Sequence, residues 1–358
     1  MINLNYDYLF VNRGLGHFRG GGENFDIRIV NILKISHRIA VLTSRGKNED
    51  GVYKELESVP VHLVSTPFFR YFLSNTKSRL LSPVRFLILE LDLLIFELVS
   101  LFWIIRNTKL STKIYCGGMI RLGFLLTLLG YNVLQRIAGP ISKNVSYLNG
   151  NFLINYTNVS VCANGDAFNL SKETFKNLTF LDIGNPEPIF SNEKRSTSLL
   201  FVGRLEEIKG AALICDVAHV LAPRKIVVIG DGSYYESIKR QNAMNVRLMG
   251  AQSNSVVLEE MKKVTALIML SKYENWPNVV LEALSVGTPV IAPKVGGLLK
   301  MKNIYNGINL FDHIYDIPEI VEKLEMSESA NDIQRSYQLE YRSWSTAAKE
   351  LMNSWDDK

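Results

Sequence analysis

The second half of the chain alternates short apolar runs with longer stretches whose apolar residues recur at helical spacing. The apolar runs lie at residues 199–202, 225–229, 246–249, 266–270 and 289–292, and the helical spacing lies at 211–221, 256–264 and 277–286. Short strands alternating with such helices predict βαβ units in a parallel, doubly wound α/β sheet. Ligands of these sheets bind at the carboxyl ends of the strands, where loops lead into helices.

The first half shows the same alternation less regularly. Apolar runs at 8–11, 38–43, 113–116 and 131–135 predict strands, and 24–33 predicts an amphipathic helix. Two prolines in Gly184-Asn185-Pro186-Glu187-Pro188 exclude a helix and predict a linker. We therefore expect an N-terminal domain over residues 1–185, a C-terminal domain over 186–340, and a helix over 341–358 that packs across both.

Residues 84–105 form the most apolar stretch and are long enough to span a bilayer, but they include Glu90, Asp92 and Glu97. Each acid near the bilayer centre costs about 2.5–3.5 kcal/mol. We therefore expect a long, mostly buried helix rather than a membrane span.

A basic and aromatic segment, residues 67–86, precedes this helix and contains Arg70, Lys77, Arg79 and Arg85. Aromatic and basic side chains together suit a membrane interface, and we interpret these four as candidate acceptor or membrane contacts. An ordinary surface loop fits the segment equally well.

Composition is that of a globular protein of two domains, with 358 residues, 47% hydrophobic and 21% charged. Three scattered cysteines form no CxxC pair, which favours reduced thiols over a zinc site or disulfides. No export signal opens the chain, so we expect a cytoplasmic protein, with attachment to the inner face of the membrane as the alternative.

Charge is uneven along the chain. Residues 1–185 carry 20 Lys and Arg against 13 Asp and Glu, whereas residues 186–358 carry 20 against 22. The excess favours an anionic partner for the first half, such as a membrane surface or a phosphate-linked acceptor. A mildly basic surface without a partner is an equal alternative, and no motif supports nucleic acid.

Two glutamates frame the start of a predicted helix. Glu274 lies in the loop after the strand at 266–270, and Glu282 lies two turns further on, roughly 8 Å into the helix. The helix N-terminus between them offers free N–H groups and a positive dipole end, which suit a phosphate. Pro277 in the first turn removes one of these donors. A chance pair of glutamates is the alternative for this motif alone.

Two cations, Arg204 and Lys209, share the loop after the strand at 199–202. They can stabilise the charge of a diphosphate leaving group without a metal, and arginine can bind two phosphate oxygens at once. A solvated loop with two cations explains this motif equally when it is taken alone.

Glycines mark two further loops. Gly287 ends the helix at 277–286, and Gly296-Gly297 allows the backbone to approach a ligand. The loop RGLGHFRGGGE, residues 13–23, lies between a strand and a helix. The position of its third glycine differs from that in the dinucleotide-binding fingerprint, and no acidic residue ends a second strand about 20 residues later. Both differences disfavour a nicotinamide or flavin cofactor.

The segments FVGRLEEIKG, VVIGDGS, NVRLMGAQS, LSKYENWPNVVLEALSVGTPVIAPKVGGL and NGINLF occur in this order over residues 199–311. Together they resemble the donor domain of retaining family 4 glycosyltransferases. The first half resembles the family only through GGGE at 20–23 and RIAGP at 136–140. The resemblance implies a GT-B fold of two Rossmann-like domains, of which residues 1–185 bind the acceptor and residues 186–340 bind the nucleotide sugar. It also implies a sugar nucleotide in the cleft between the two domains, and no obligatory metal or other cofactor.

The resemblance also implies roles for individual residues. Arg204 and Lys209 would bind the diphosphate and Glu274 the donor sugar, which makes these three the catalytic candidates, while Glu282 would bind the ribose hydroxyls. The other donor-binding candidates are Gly20, Gly21 and Gly22, approaching from the opposite domain, with Gly203, Asn275, Trp276, Asn278, Gly230 and Gly232.

The chain departs from the family pattern in two places. Asn-Trp-Pro-Asn follows Glu274 where many members have a small, glycine-containing stretch, which changes the number of amides that face a phosphate. Many members also place a histidine near the reacting carbon, but this chain has none between His62 and His219, and His17 is the candidate substitute.

These observations predict an enzyme that transfers a sugar, with retention, from a UDP- or GDP-sugar to a hydroxyl of a glycan or lipid-linked saccharide in polysaccharide biosynthesis. A sugar-nucleotide epimerase, a phosphorylase and a non-catalytic partner subunit are the alternatives. The four charged residues at the predicted donor site disfavour the last of these.

Overall fold

The computed structural model describes residues 5–16, 21–45, 56, 58–64, 82–137, 153, 155–162, 177–180, 184–189, 195–327 and 330–356. The chain forms two compact units. The first contains Met1–Asp182 together with Trp344–Lys358, and the second contains Ile183–Ser343. Each unit is built on a parallel sheet.

The first unit contains a sheet with the strand order β3-β2-β1-β4-β5-β6-β7. Its strands are β1 (Tyr8–Val11), β2 (Ile39–Ser44), β3 (Val61–Val64), β4 (Lys113–Gly117), β5 (Val133–Ile137), β6 (Val159–Cys162) and β7 (Leu178–Phe180), and its helices include α1 (Gly21–Leu33), α2 (Ser82–Asn107), α3 (Ile120–Leu128) and α11 (Trp344–Asp356). All the pairings are parallel. The strands β1, β2 and β5 are buried along their whole length, as expected where helices cover both faces of a parallel sheet.

The second unit contains a sheet with the order β10-β9-β8-β11-β12-β13, again parallel. Its strands are β8 (Leu199–Val202), β9 (Ile226–Ile229), β10 (Val246–Gly250), β11 (Ala266–Ile268), β12 (Val290–Pro293) and β13 (Ile308–Phe311), and its helices include α4 (Ile214–Val220), α5 (Tyr235–Gln241), α6 (Asn254–Lys263), α7 (Asn278–Ser285), α8 (Gly297–Ile304), α9 (Ile317–Ser327) and α10 (Ala330–Leu339). Neighbouring residues of one strand, such as Leu199 and Leu200, enter separate buried clusters on opposite faces.

Both sheets have the doubly wound order in which the strand sequence reverses next to the first strand, so the predicted α/β fold of two Rossmann-like domains is confirmed. The predicted strands are present, with ends that differ from the prediction by at most two residues. The strands β3, β6 and β7 escaped prediction because they are short and carry polar residues such as His62 and Ser160. The predicted helix at 211–221 begins instead as a 3-10 turn and is α-helical only from Ile214 to Val220.

The C-terminal helix α11 belongs to the first unit. It buries Leu351 and Trp355, and the indole nitrogen of Trp355 donates a hydrogen bond to Asn132 Oδ1 at 2.9 Å. Trp344, at its start, lies edge-on to Phe25 of α1. Packing of this helix across both domains stays a prediction.

The long helix predicted over residues 84–105 is present as α2, but it is not mostly buried. Phe96 and Ile104 enter the core of the first unit, whereas Leu98 and Phe102 are 51% and 64% exposed. In the part of the chain that the structure describes, no helix has the length and apolar character needed to cross a membrane.

Candidate functional site

The candidate site of the second unit lies where its strand order reverses, between β8 and β11. These strands are neighbours and parallel, with Ala266 paired to Leu199. Their carboxyl ends therefore meet at one edge of the sheet, although they are far apart in sequence. The loop after β8 carries Arg204 and Lys209, and the loop after β11 carries Glu274. This is the position at which doubly wound sheets bind ligands.

Lys209 and Glu274 form an ion pair across these two loops. The distance from Lys209 Nζ to Glu274 Oε1 is 2.6 Å, and the same carboxylate oxygen accepts a hydrogen bond from Ser271 Oγ at 2.6 Å. The Glu274 side chain is 7% exposed and that of Lys209 is 28% exposed. A buried carboxylate is thus held by one ammonium, which still reaches solvent with its other N–H groups.

Glycine makes the close approach of the loops possible. Gly296 adopts φ +49°, and a Cβ built on it would lie 2.0 Å from the backbone oxygen of Glu274. That oxygen accepts a hydrogen bond from Gly297 N at 3.0 Å. Gly296 was expected to bring the backbone close to a ligand, but in the structure it approaches the backbone that carries Glu274.

Gly230 likewise allows a close approach between two backbone segments, here beside the end of β8. Gly230, at the end of β9, has φ +150°, and a Cβ there would lie 1.9 Å from the backbone oxygen of Gly203. Gly232 also approaches the loop after β8, since a Cβ on it would lie 2.6 Å from the backbone oxygen of Leu205, and its amide donates a hydrogen bond to Asp231 Oδ1 at 2.7 Å. The predicted donor-binding glycines 203, 230 and 232 therefore lie together, and their role toward a ligand stays a prediction.

Glu206 links this glycine turn to the cationic loop. Ser233 donates to Glu206 through its amide at 3.2 Å and through its hydroxyl at 2.8 Å. The neighbouring Glu207 bonds with Lys272 and Tyr234, and these two bonds hold the pKa of Glu207 below its ordinary value. Both acids of the loop are thus engaged with protein groups.

Arg204 lies at the start of the same loop, directly after Gly203 at the end of β8. Its side chain is exposed, and it makes no ion pair with any residue that the structure describes. The structure therefore brings Lys209 and Glu274 into contact but leaves Arg204 outside that contact.

Helix α7 begins after Pro277 and carries Glu282 in its second turn. Pro277 precedes the helix, so it removes no donor from the first turn, contrary to expectation. Within the described ranges, no side chain caps this end and the amides of Asn278 and Val279 have no acceptor. Glu282 Oε1 accepts a hydrogen bond from Asn254 Nδ2, the first residue of α6, at 3.1 Å.

The other residues of this stretch have a structural part. Trp276 packs against the buried cluster around Leu200 and Leu281. Asn275 is partly buried beside it. Ser271 and Asn254 were missed by sequence reasoning, because nothing in their local pattern distinguishes a serine or asparagine that orients a glutamate from any other loop residue.

The reversal point of the first sheet contains a buried polar cluster of Asn12, Asp26, Tyr115 and Arg136. Asp26 is fully buried and accepts hydrogen bonds from Tyr115 at 2.6 Å and from Arg136 Nη2 at 3.0 Å, with Asn12 as a further donor. Burial raises the pKa of Tyr115 well above its ordinary value, and the neighbouring Asp26 raises the pKa of Arg136 against the effect of burial.

Gly21 and Gly22, two of the glycines predicted to bind the donor, begin α1 beside this cluster. A Cβ on Gly22 would lie 3.0 Å from Arg136 Nη1. Gly20, His17, Arg70, Lys77 and Arg79 lie outside the described residues. Arg85 lies in α2, but its side chain is also outside the description.

The residues that the structure describes contain no group of three or more His, Cys, Asp and Glu side chains that could hold a metal ion. Among the charged side chains in the loops after β8 and β11, Lys209 and Glu274 form an ion pair and Arg204 is exposed.

Known proteins match this chain most clearly in its second unit. Residues 186–336 match the family model described as Glycosyl transferases group 1. A curated protein of the cps region of Klebsiella pneumoniae is 30% identical over 40% of this chain and 38% of its own length. The lipopolysaccharide 1,6-galactosyltransferase of Salmonella typhimurium is 36% identical over 26% of this chain and 29% of its own. The chain thus spans less than half the length of these curated relatives.

The fold resemblance covers nearly the whole chain. The crystal structure of Anabaena HepE in complex with UDP superposes with a TM-score of 0.73 at 15% identity, covering 98% of this chain and 100% of the other. At this identity the likeness shows the fold, which is the GT-B arrangement of two Rossmann-like domains.

Proposed function

We propose that this chain, whose residues 186–336 carry a glycosyl transferases group 1 domain, is a glycosyltransferase that uses a nucleoside diphosphate sugar. One observation carries the proposal. At the reversal point of the second sheet, Lys209 and the buried Glu274 are held together beside Arg204, a cation with no ion-pair partner among the described residues. Together with the uncapped start of α7, this arrangement suits a sugar linked to a diphosphate.

Each residue has a distinct role in the proposed reaction. Arg204 and Lys209 bind the diphosphate, whose negative charge grows as the bond from the sugar C1 to the phosphate oxygen breaks. Glu274, fixed by Lys209 and Ser271, accepts hydrogen bonds from the sugar hydroxyls. The acceptor hydroxyl forms the new bond to C1 on the same face and gives its proton to the departing diphosphate, which retains the configuration.

The nucleoside lies toward α7 in this proposal. Glu282 accepts hydrogen bonds from the ribose hydroxyls, in the orientation that Asn254 gives it. The amides of Asn278 and Val279 face a phosphate at the positive end of the helix dipole. Two cations carry the diphosphate charge, so we expect turnover to continue in excess EDTA.

The finer assignments rest on relatives. The donor is a UDP-sugar, which is supported by the HepE structure in complex with UDP. The acceptor is a glycan or lipid-linked saccharide, which is supported by the name of the Salmonella relative. The first domain, residues 1–185, would bind this acceptor.

A panel of nucleotides tests the proposal on the full chain. Thermal unfolding is measured with UDP, GDP, ADP and their sugars, and we expect UDP compounds to stabilise, by about 2.7 kcal/mol at a concentration 100 times the Kd. Products are then analysed with and without acceptor, since an epimerase converts the donor alone. If no nucleotide of the panel stabilises the chain against thermal unfolding, the proposal is wrong.

A further inference from the structure

Helix α2 presents an apolar face to solvent. The outward residues, each between 39% and 64% exposed, are Leu91, Leu94, Leu98, Phe102 and Ile105. Their spacing of three and four residues places them along one side of the helix. From residue 91 to residue 105 no exposed position of α2 carries a charge.

The acids of α2 point the other way. Asp92 is 2% exposed and pairs with Arg13, with 2.5 Å between Oδ2 and Nη2. Glu97 is 4% exposed and pairs with Arg121 of α3, with 2.6 Å between Oε2 and Nε. A helix that faces water normally directs charges outward and apolar residues inward. In this helix two buried carboxylates are matched by arginines of other elements, while leucines face solvent.

Two cations, Arg106 and Lys109, are exposed at the C-terminal end of the apolar face. Leu128, the last residue of α3, and Leu129, which follows it, are also exposed, and α3 packs against α2. An apolar stripe with basic residues at its end is typical of a helix that lies in the membrane interface, where Lys and Arg reach anionic headgroups.

We propose that the outward face of α2 docks on an anionic bilayer surface, with the helix lying in the plane of the interface. These two cations and the excess of Lys and Arg in the first half complement an anionic surface. A second copy of the chain, carrying the same cations, would place like charges against each other. The inference concerns the first unit and does not depend on the donor site.

Vesicle sedimentation with the full chain tests the docking surface. The probes are vesicles of phosphatidylcholine alone and vesicles containing 30% phosphatidylglycerol, a composition chosen as roughly that of an anionic leaflet. We expect binding to the anionic vesicles and at least about tenfold weaker partitioning of the double variant Leu98→Ser, Phe102→Ser. The variant Met326→Ser, Leu339→Ser is the matched control, since both residues are highly exposed but lie in the second unit.

A second variant separates charge from apolar contact. Arg106→Glu with Lys109→Glu should weaken binding to anionic vesicles in proportion to their phosphatidylglycerol content. Circular dichroism checks that every variant folds. Equal vesicle binding by the wild type and the Leu98, Phe102 variant would overturn the proposal. The proposal would also be wrong if light scattering showed a wild-type dimer and the Leu98, Phe102 variant were monomeric, because the face would then bind a second copy.

Discussion

Replacing Lys209 by alanine should lower both the stability of the chain and its turnover, because Lys209 pairs with Glu274 and binds the diphosphate in the proposed reaction. The variant leaves the Glu274 carboxylate, 7% exposed, with Ser271 as its remaining partner. Breaking a buried ion pair costs about 3–5 kcal/mol, and because Lys209 is 28% exposed we expect the low end of this range. Loss of one charge that stabilises the leaving diphosphate should also lower kcat by about 10²–10³-fold.

A double-mutant cycle with Glu274→Gln distinguishes the two effects. Removing both charges eliminates the unpaired carboxylate, so we expect the double variant to be more stable than the sum of the single effects predicts, by about 0.5–3 kcal/mol. Turnover should not recover, because the phosphate-binding cation is still missing. Stability is measured by calorimetric unfolding, and turnover by consumption of the donor in the presence of acceptor.

Lys272→Ala is the matched control. Lys272 lies in the same loop as Glu274 and pairs with Glu207, but both of these side chains are more than half exposed. We expect little change in stability or turnover. If Lys209→Ala keeps wild-type turnover, or if Lys272→Ala lowers turnover as much, the assignment of Lys209 to the diphosphate is wrong.

Three further predictions concern single positions. Glu282→Ala should weaken UDP binding by about 1.5–3 kcal/mol without lowering the melting temperature, and titration calorimetry that finds an unchanged Kd would refute the ribose assignment. Gly296→Ala should lower the melting temperature, because its Cβ would meet the backbone oxygen of Glu274 at 2.0 Å; a melting temperature equal to that of the wild type would contradict this packing. Asp26→Asn leaves the buried guanidinium of Arg136 without its carboxylate and should cost about 3–5 kcal/mol in calorimetric unfolding of the first unit; an unshifted transition would show that the pair is dispensable.

Local patterns in the sequence were sufficient to predict most elements of both sheets. The runs at 8–11 and 199–202 match β1 and β8 without a shift, because an apolar run closed by a turn residue reports a buried parallel strand directly. Gly287 was recognisable as the end of a helix, and it has a φ of +72° in the structure. The order of the motifs also predicted the glycosyltransferase family whose model matches residues 186–336.

Which side chains meet depended on the order of strands in the sheet. Lys209 and Glu274 are separated by 65 positions and come into contact because β8 and β11 are neighbours, which no local pattern encodes. The same holds for Asp26 and Arg136, which are 110 positions apart.

Which face of α2 is exposed to solvent was determined only by the tertiary structure. The sequence of α2 predicted a long apolar helix that carries Glu90, Asp92 and Glu97, and the usual rule directs charged residues to solvent and apolar residues inward. Arg13 and Arg121, contributed by a loop and by α3, instead neutralise Asp92 and Glu97 inside. A buried carboxylate is tolerated only beside a cation. The rest of the fold supplies these cations, and it therefore determined which face of α2 is exposed to solvent.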